Sequence, residues 1–184
     1  MKLFLLACLI LGVALVYTEQ VHIPEAARLA AHHLMLPFKI AALYTNEADR
    51  LIAVPVEGVH ASEIKNTWHA PRAGGRLHEG QDIFAERGTA VRSATEGYVV
   101  QIGENELGGK TIFIAGRGGR RYYYAHLDAY ASDLAVGDYV TPERIIGYVG
   151  TSGNAAGTPP HLHFGIYTRG GAVDPLPLLK DTPS

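Results

Sequence analysis

Apolar and polar positions follow three rhythms along this chain. From Leu3 to Tyr17 the run is uninterrupted and apolar, closed by Thr18-Glu19-Gln20. A buried helix of a globular protein keeps a polar face, so this stretch reads as an export signal or a membrane anchor. It is shorter than the roughly 20 residues of a comfortable membrane span, which favours a signal. Its end, Val16-Tyr17-Thr18, carries no small-x-small cleavage site, which favours an anchor. In either case Lys2 before it and Glu19 after it direct the remaining chain across a membrane.

The second rhythm is helical. Glu25 to Met35 is rich in helix formers, and Pro37 predicts the end of that helix. Leu51 to Val59 reads as a short extended segment broken by Pro55. Residues 21–55 are therefore expected to form a linker, partly helical and partly extended.

From Asn66 onward the period falls to two. Short β-type runs recur at Val91–Ser93, Tyr98–Ile102, Thr111–Ala115, Tyr122–His126 and Ile145–Val149, with glycine-bearing turns between them. A final run covers Thr158–Tyr167. No long amphipathic helix intervenes. The expected fold is mainly β, a compact antiparallel sheet or sandwich over residues 56–184, preceded by the apolar segment 1–20 and the linker.

Composition narrows the chemistry. The 184 residues carry a formal charge of −2 with no basic run, which argues against nucleic acid as the main partner. Cys8 is the one cysteine, so neither a disulfide framework nor a cysteine-built zinc site is available.

The candidate chemistry lies in histidines. Strand alternation in His161-Leu162-His163-Phe164-Gly165-Ile166 projects His161 and His163 to one face and Leu162, Phe164 and Ile166 to the other. Two adjacent imidazoles repel when both are charged, so the pair suits a bound cation. His78 and Asp82 are four apart in a glycine-rich loop that runs into a strand, and Asp82 supplies the carboxylate that a two-histidine zinc site lacks. In Tyr122–His126 the same alternation places Tyr122, Tyr124 and His126 on one face, with Leu127 on the other. His32, His33, His60 and His69 have no partner at metal-ligand spacing and read as solvent or packing residues. Trp68 reads as a packing residue.

His78-x-x-x-Asp82, Tyr124-Ala-His126-Leu127 and His161-Leu-His163, in this order, resemble the LytM/lysostaphin-type zinc metallopeptidases. The likeness spans Val56 to Leu179 and includes the turn Gly147-Tyr-Val-Gly150-Thr-Ser-Gly153. It implies a β-hybrid type of sheet and one zinc ion, held by His78, Asp82 and His163. It implies His126 and His161 as catalytic histidines that do not hold the metal. The implied reaction is hydrolysis of peptide cross-links in bacterial peptidoglycan, by a monomer in the cell envelope. The envelope location could be periplasmic, secreted, or membrane-associated through residues 3–17. His161 is placed to guide the water proton and His126 to steady the oxyanion and the leaving amine, and the two roles are interchangeable at this level. Two departures stand out: Asn154–Pro160 replaces a shorter lead-in, and Gly165 stands where glutamate is common. Both bear on the cleft wall, and the bond cut is left open between a stem-peptide cross-link and an oligoglycine bridge. Whether residues 21–51 cover the cleft is open too. The competing readings are a non-catalytic envelope scaffold or activator of other cell-wall hydrolases, and a carrier domain using Lys110.

Overall fold

A computed structural model describes residues 25–181, so the apolar run Leu3–Tyr17 lies outside the described residues. The chain divides into two compact units, Met1–Leu36 and Pro37–Ser184. Helix α1 spans Glu25–Tyr44 with Pro37 inside it. The sequence placed the helix end at Pro37, and the structure corrects this. Proline removes one backbone donor and crowds the preceding turn, yet the residues after it favour helix. Beyond it, Leu43 is buried and the Lys39 ammonium lies 5.9 Å from the Tyr98 ring, so tertiary contacts hold the second half in place. Among the described residues no helix is long and apolar enough to cross a membrane.

The second unit is a mainly β domain. Its strands are β1 (Ile52–Ala53), β2 (Gln81–Phe84), β3 (Ala90–Arg92), β4 (Gly97–Asn105), β5 (Gly109–Gly116), β6 (Arg121–Tyr130), β7 (Tyr139–Val140), β8 (Ile145–Val149), β9 (His161–Thr168), β10 (Gly171–Val173) and β11 (Leu179–Lys180). Nine of them form one antiparallel sheet whose main path runs β10-β9-β6-β5-β4-β7. In addition β2 pairs with β9, and β8 pairs with both β3 and β6. The expected mainly β antiparallel architecture is the one found. β1 and β11 pair in parallel as a separate ribbon.

One face of β5, β6 and β9 makes the core. Ile112 and Ile114, Tyr122 and Tyr124, and Leu162, Phe164 and Ile166 alternate along these strands and are all fully buried. Each such side chain contributes roughly 1.5–3 kcal/mol by leaving water. The Tyr124 hydroxyl accepts from the Ala94 amide at 2.9 Å, so its burial leaves no unpaired polar group. Ile52, Val54 and Val56 also enter this core, although the sequence assigned the first two to the linker. Their period-two spacing fits a strand, and Pro55 needs no amide donor; its carbonyl accepts from Arg92 at 2.8 Å.

Candidate metal centre and cleft

Three adjacent strands carry the site. Asp82 on β2 lies directly opposite His163 on β9, and Phe84 lies opposite His161. On the other side of β9, His163 pairs with Ala125 of β6. The regular ladder therefore sets Asp82, His161 and His163 on one face, which alternation predicts for the two histidines. His78 arrives differently. Its amide donates to Ala70 and its carbonyl accepts from His69, closing a small hairpin that returns the chain towards β2. Gly80 then lets the loop pass close: a Cβ there would stand 2.5 Å from the His163 ring.

The alternation prediction for β6 needs correction at one residue. Tyr122 and Tyr124 face the core, while Tyr123, Ala125 and His126 all line the cleft. Regular alternation would have buried His126 beside the two tyrosines. Instead its φ is +62°, and the β5–β6 register shifts between Lys110 and Ile112. Two residues of β6, Ala125 and His126, thus oppose Thr111, which is a β-bulge that turns the imidazole to the cleft. The conformation is strained for a non-glycine residue, and such strain persists where its surroundings enforce it. The turn around Gly150 and Gly153 does this here. Ser152 accepts from His126 Nδ1 through its carbonyl at 3.0 Å, and its hydroxyl donates to Leu127 at 2.8 Å. Gly150 permits the approach, since a Cβ would meet the Asp128 amide nitrogen at 2.4 Å.

The histidine–aspartate cluster converges tightly. His78 Nε2 is 2.8 Å from His163 Nδ1 and 3.1 Å from Asp82 Oδ1, and His163 Nδ1 is 3.2 Å from that oxygen. Atoms held about 2.0–2.1 Å from a tetrahedral zinc lie roughly 3.3 Å from one another. The spacing thus fits one zinc-sized cation. His78 Nδ1 contacts the Thr67 carbonyl at 2.7 Å; a carbonyl only accepts, so Nδ1 carries the proton and Nε2 offers its lone pair to the centre. Burial works to raise the Asp82 pKa, but the close approach of the His163 and His78 rings outweighs it and holds the carboxyl far below the usual range. Burial pushes His163 downward, so both groups favour the forms that bind a metal.

His161 stands beside this cluster, its Nε2 3.9 Å from Asp82 Oδ1 and its Nδ1 donating to the Pro159 carbonyl at 2.8 Å. Its ring centroid is 5.0 Å from that of His126. Both imidazoles therefore present Nε2 to the cleft. Burial, then the nearby His163 and His161, push the His126 pKa down to about 4, so it is neutral near pH 7.

Sequence reasoning missed the residues that hold these groups. Thr67 Oγ1 accepts from the Asp82 amide at 2.9 Å, while its carbonyl orients His78. The fully buried Gln81 binds the same segment through Thr67 and the Lys65 carbonyl. Arg72 donates to Asp82 Oδ2 at 2.5 Å. A polar Gln81 next to Asp82 in a buried strand was the one available signal. His60 pairs with Asp181 at 3.3 Å, and His69 stacks on Trp68 with centroids 4.4 Å apart; neither joins the cluster.

A mainly β domain with a buried His–Asp–His cluster and two further histidines in a cleft of 790 Å3 describes a metallohydrolase type of site. Comparison makes the class specific. Residues 76–175 match the model of Peptidase family M23, which shows that the chain belongs to that family. It is 39% identical over 127 residues to an L-Ala–D-Glu endopeptidase of Bacillus subtilis, covering 63% of this chain and 39% of that protein's length. The catalytic domain of lysostaphin from Staphylococcus simulans aligns with TM-score 0.56 and 32% identity, over 65% of this chain and 97% of that one. A zinc-containing peptidase from Vibrio cholerae aligns with TM-score 0.59 and 26% identity, over 73% of this chain and 41% of that one.

Proposed function

We propose that the chain is a zinc-dependent endopeptidase acting on the peptides of bacterial peptidoglycan, in the cell envelope, with the catalytic domain at 56–184. The single observation that carries this reading is the convergence of His78, Asp82 and His163 within 4.8 Å, with His126 and His161 beside them in one cleft. His78, Asp82 and His163 hold the metal. When bound, zinc supplies Lewis acidity, polarising a carbonyl and bringing the pKa of water towards about 7.

The chain's own histidines then move the proton. His161 Nε2, the nearer to Asp82, accepts it from the attacking water. Its Nδ1 bond to Pro159 keeps the ring aimed while it does so. His126 enters neutral with its proton on Nδ1, held by the Ser152 carbonyl, and its bare Nε2 faces His161 across the cleft. That Nε2 takes over the proton that His161 has accepted, donates it in a hydrogen bond to the charge on the scissile carbonyl oxygen, and gives it up to the leaving amine. Glu79 takes no part as base, since Gly80-Gln81-Asp82 follow it and no helix aligns it with a second histidine.

The test is mass spectrometry of purified muropeptides incubated with the zinc-loaded protein, with and without chelator. New amine and carboxyl ends that vanish with chelator are expected. Intact muropeptides in both samples would refute the reading.

A further inference from the structure

The two oxygens of Asp82 have different partners. Oδ1 belongs to the cluster, 3.1 Å from His78 Nε2 and 3.2 Å from His163 Nδ1. Oδ2 accepts from Arg72 Nη2 at 2.5 Å. The hairpin between His69 and His78 explains why Arg72 arrives there. The His69 amide donates to the His78 carbonyl at 2.9 Å, Pro71 bridges Leu77, and the Arg72 amide donates to the Arg76 carbonyl at 2.9 Å. In that register Ala70 stands opposite His78, so residues 70, 72 and 78 share one face. Gly74 and Gly75, with φ of +75° and +72°, close the turn. One hairpin face thus delivers a ligand of the cluster and a cation for the carboxylate of another.

A carboxylate binds a metal through one oxygen or through both. An oxygen that already accepts a charge-assisted hydrogen bond is held back for that partner. We propose that Arg72 is a positioning residue of the metal centre. By occupying Oδ2 it confines Asp82 to donation through Oδ1, and so keeps the open position of a three-ligand site open. This rests on the metal-site part of the peptidase reading and adds a residue outside the ligand set. Two effects of the guanidinium oppose one another: its charge repels a nearby cation, while its hydrogen bond fixes the carboxylate. The Arg72 side chain is 41% exposed, so water screens the repulsion, whereas that of Asp82 is 8% exposed and the bond it accepts is sheltered. Fixing the carboxylate outweighs the repulsion.

The test loads the full chain with zinc or with cobalt and compares the wild type with Arg72→Met and Arg72→Lys. Zinc affinity, measured by chelator competition, should fall about tenfold in Arg72→Met. Cobalt reports its own geometry, since its visible absorption is stronger with four ligands than with five. Arg72→Met should lose absorption as Oδ2 joins the metal. Arg72→Lys should regain most of the spectrum and the affinity, because the contact uses a single nitrogen that an ammonium can replace. The same cobalt spectrum in Arg72→Met as in the wild type, an unchanged or raised zinc affinity in it, or no recovery in Arg72→Lys would each overturn the assignment. A lower melting temperature of metal-free Arg72→Met with its cobalt spectrum intact would do so too, reducing Arg72 to a brace of the hairpin. These readouts follow the metal and not hydrolysis, so intact muropeptides would refute the peptidase reading alone. A wild type that binds neither metal would refute both.

Discussion

The β2–β9 pair and the end of β6 reach the same cleft by opposite means. Asp82 and His163 face one another across an unbroken antiparallel ladder, where strand period alone fixes the side of the sheet. His126 reaches the cleft by breaking that period, with a positive φ, a bulge opposite Thr111 and a carbonyl from a distant turn. Regular pairing is cheap and robust, and it places groups that need a rigid common centre. A bulge costs backbone strain, and it can deliver a side chain to a point that no ladder position reaches. The two regions should accordingly fail in different ways.

The largest effects are expected on the ladder side. Replacing Asp82 or His163 with alanine should abolish zinc binding and hydrolysis together, measured as metal content and peptide cleavage on the same sample. His126→Ala should keep its zinc and lose about 10²–10⁴ in kcat, the usual contribution of a proton-handling residue. Zinc lost in proportion from His126→Ala would erase the distinction between the two regions.

Glycine variants sharpen the contrast. Gly80→Ala pushes a Cβ into the His163 ring and should weaken zinc affinity first. Gly150→Ala pushes one against the Asp128 amide and should displace the Ser152 turn, lowering kcat and stability by about 1–3 kcal/mol while zinc stays bound. Metal competition assays and thermal melts separate the two outcomes. A milder change is Thr67→Val, which removes the acceptor for the Asp82 amide but keeps the carbonyl on His78. Zinc affinity should fall about tenfold.

The smallest effect concerns pH. The folded state holds His126 near 4, against about 6.5 in an unfolded chain. Between these values the unfolded chain binds a proton that the folded one refuses. The stability from neutral His126 is therefore complete above pH 6.5 and is lost as pH falls towards 4. In metal-free protein, denaturant midpoints at pH 7 and pH 4.5 should differ more for the wild type than for His126→Gln. An equal drop in both would contradict the pKa shift.

Much of this was legible in one dimension because period-two alternation is a local property of the chain. The strand Ile145–Val149 has the bounds read from its sequence, and the facing of His161, His163 and Leu162 followed from spacing alone. Pro37 misled because its local cost was outweighed by burial and contacts further along the helix. Tyr122–His126 misled because the bulge depends on what lies opposite it on β5.

By itself the sequence determined which side chains are available, in what order, and which of them share a strand face, since these follow from residue type and backbone period. Only the tertiary structure decided that Thr67 orients His78, that Arg72 binds Asp82, and that Ser152 turns His126 out of the core. Those contacts join residues 10, 11 and 26 positions apart across loops and turns, and nothing in local propensity encodes which carbonyl or guanidinium will arrive beside a given side chain.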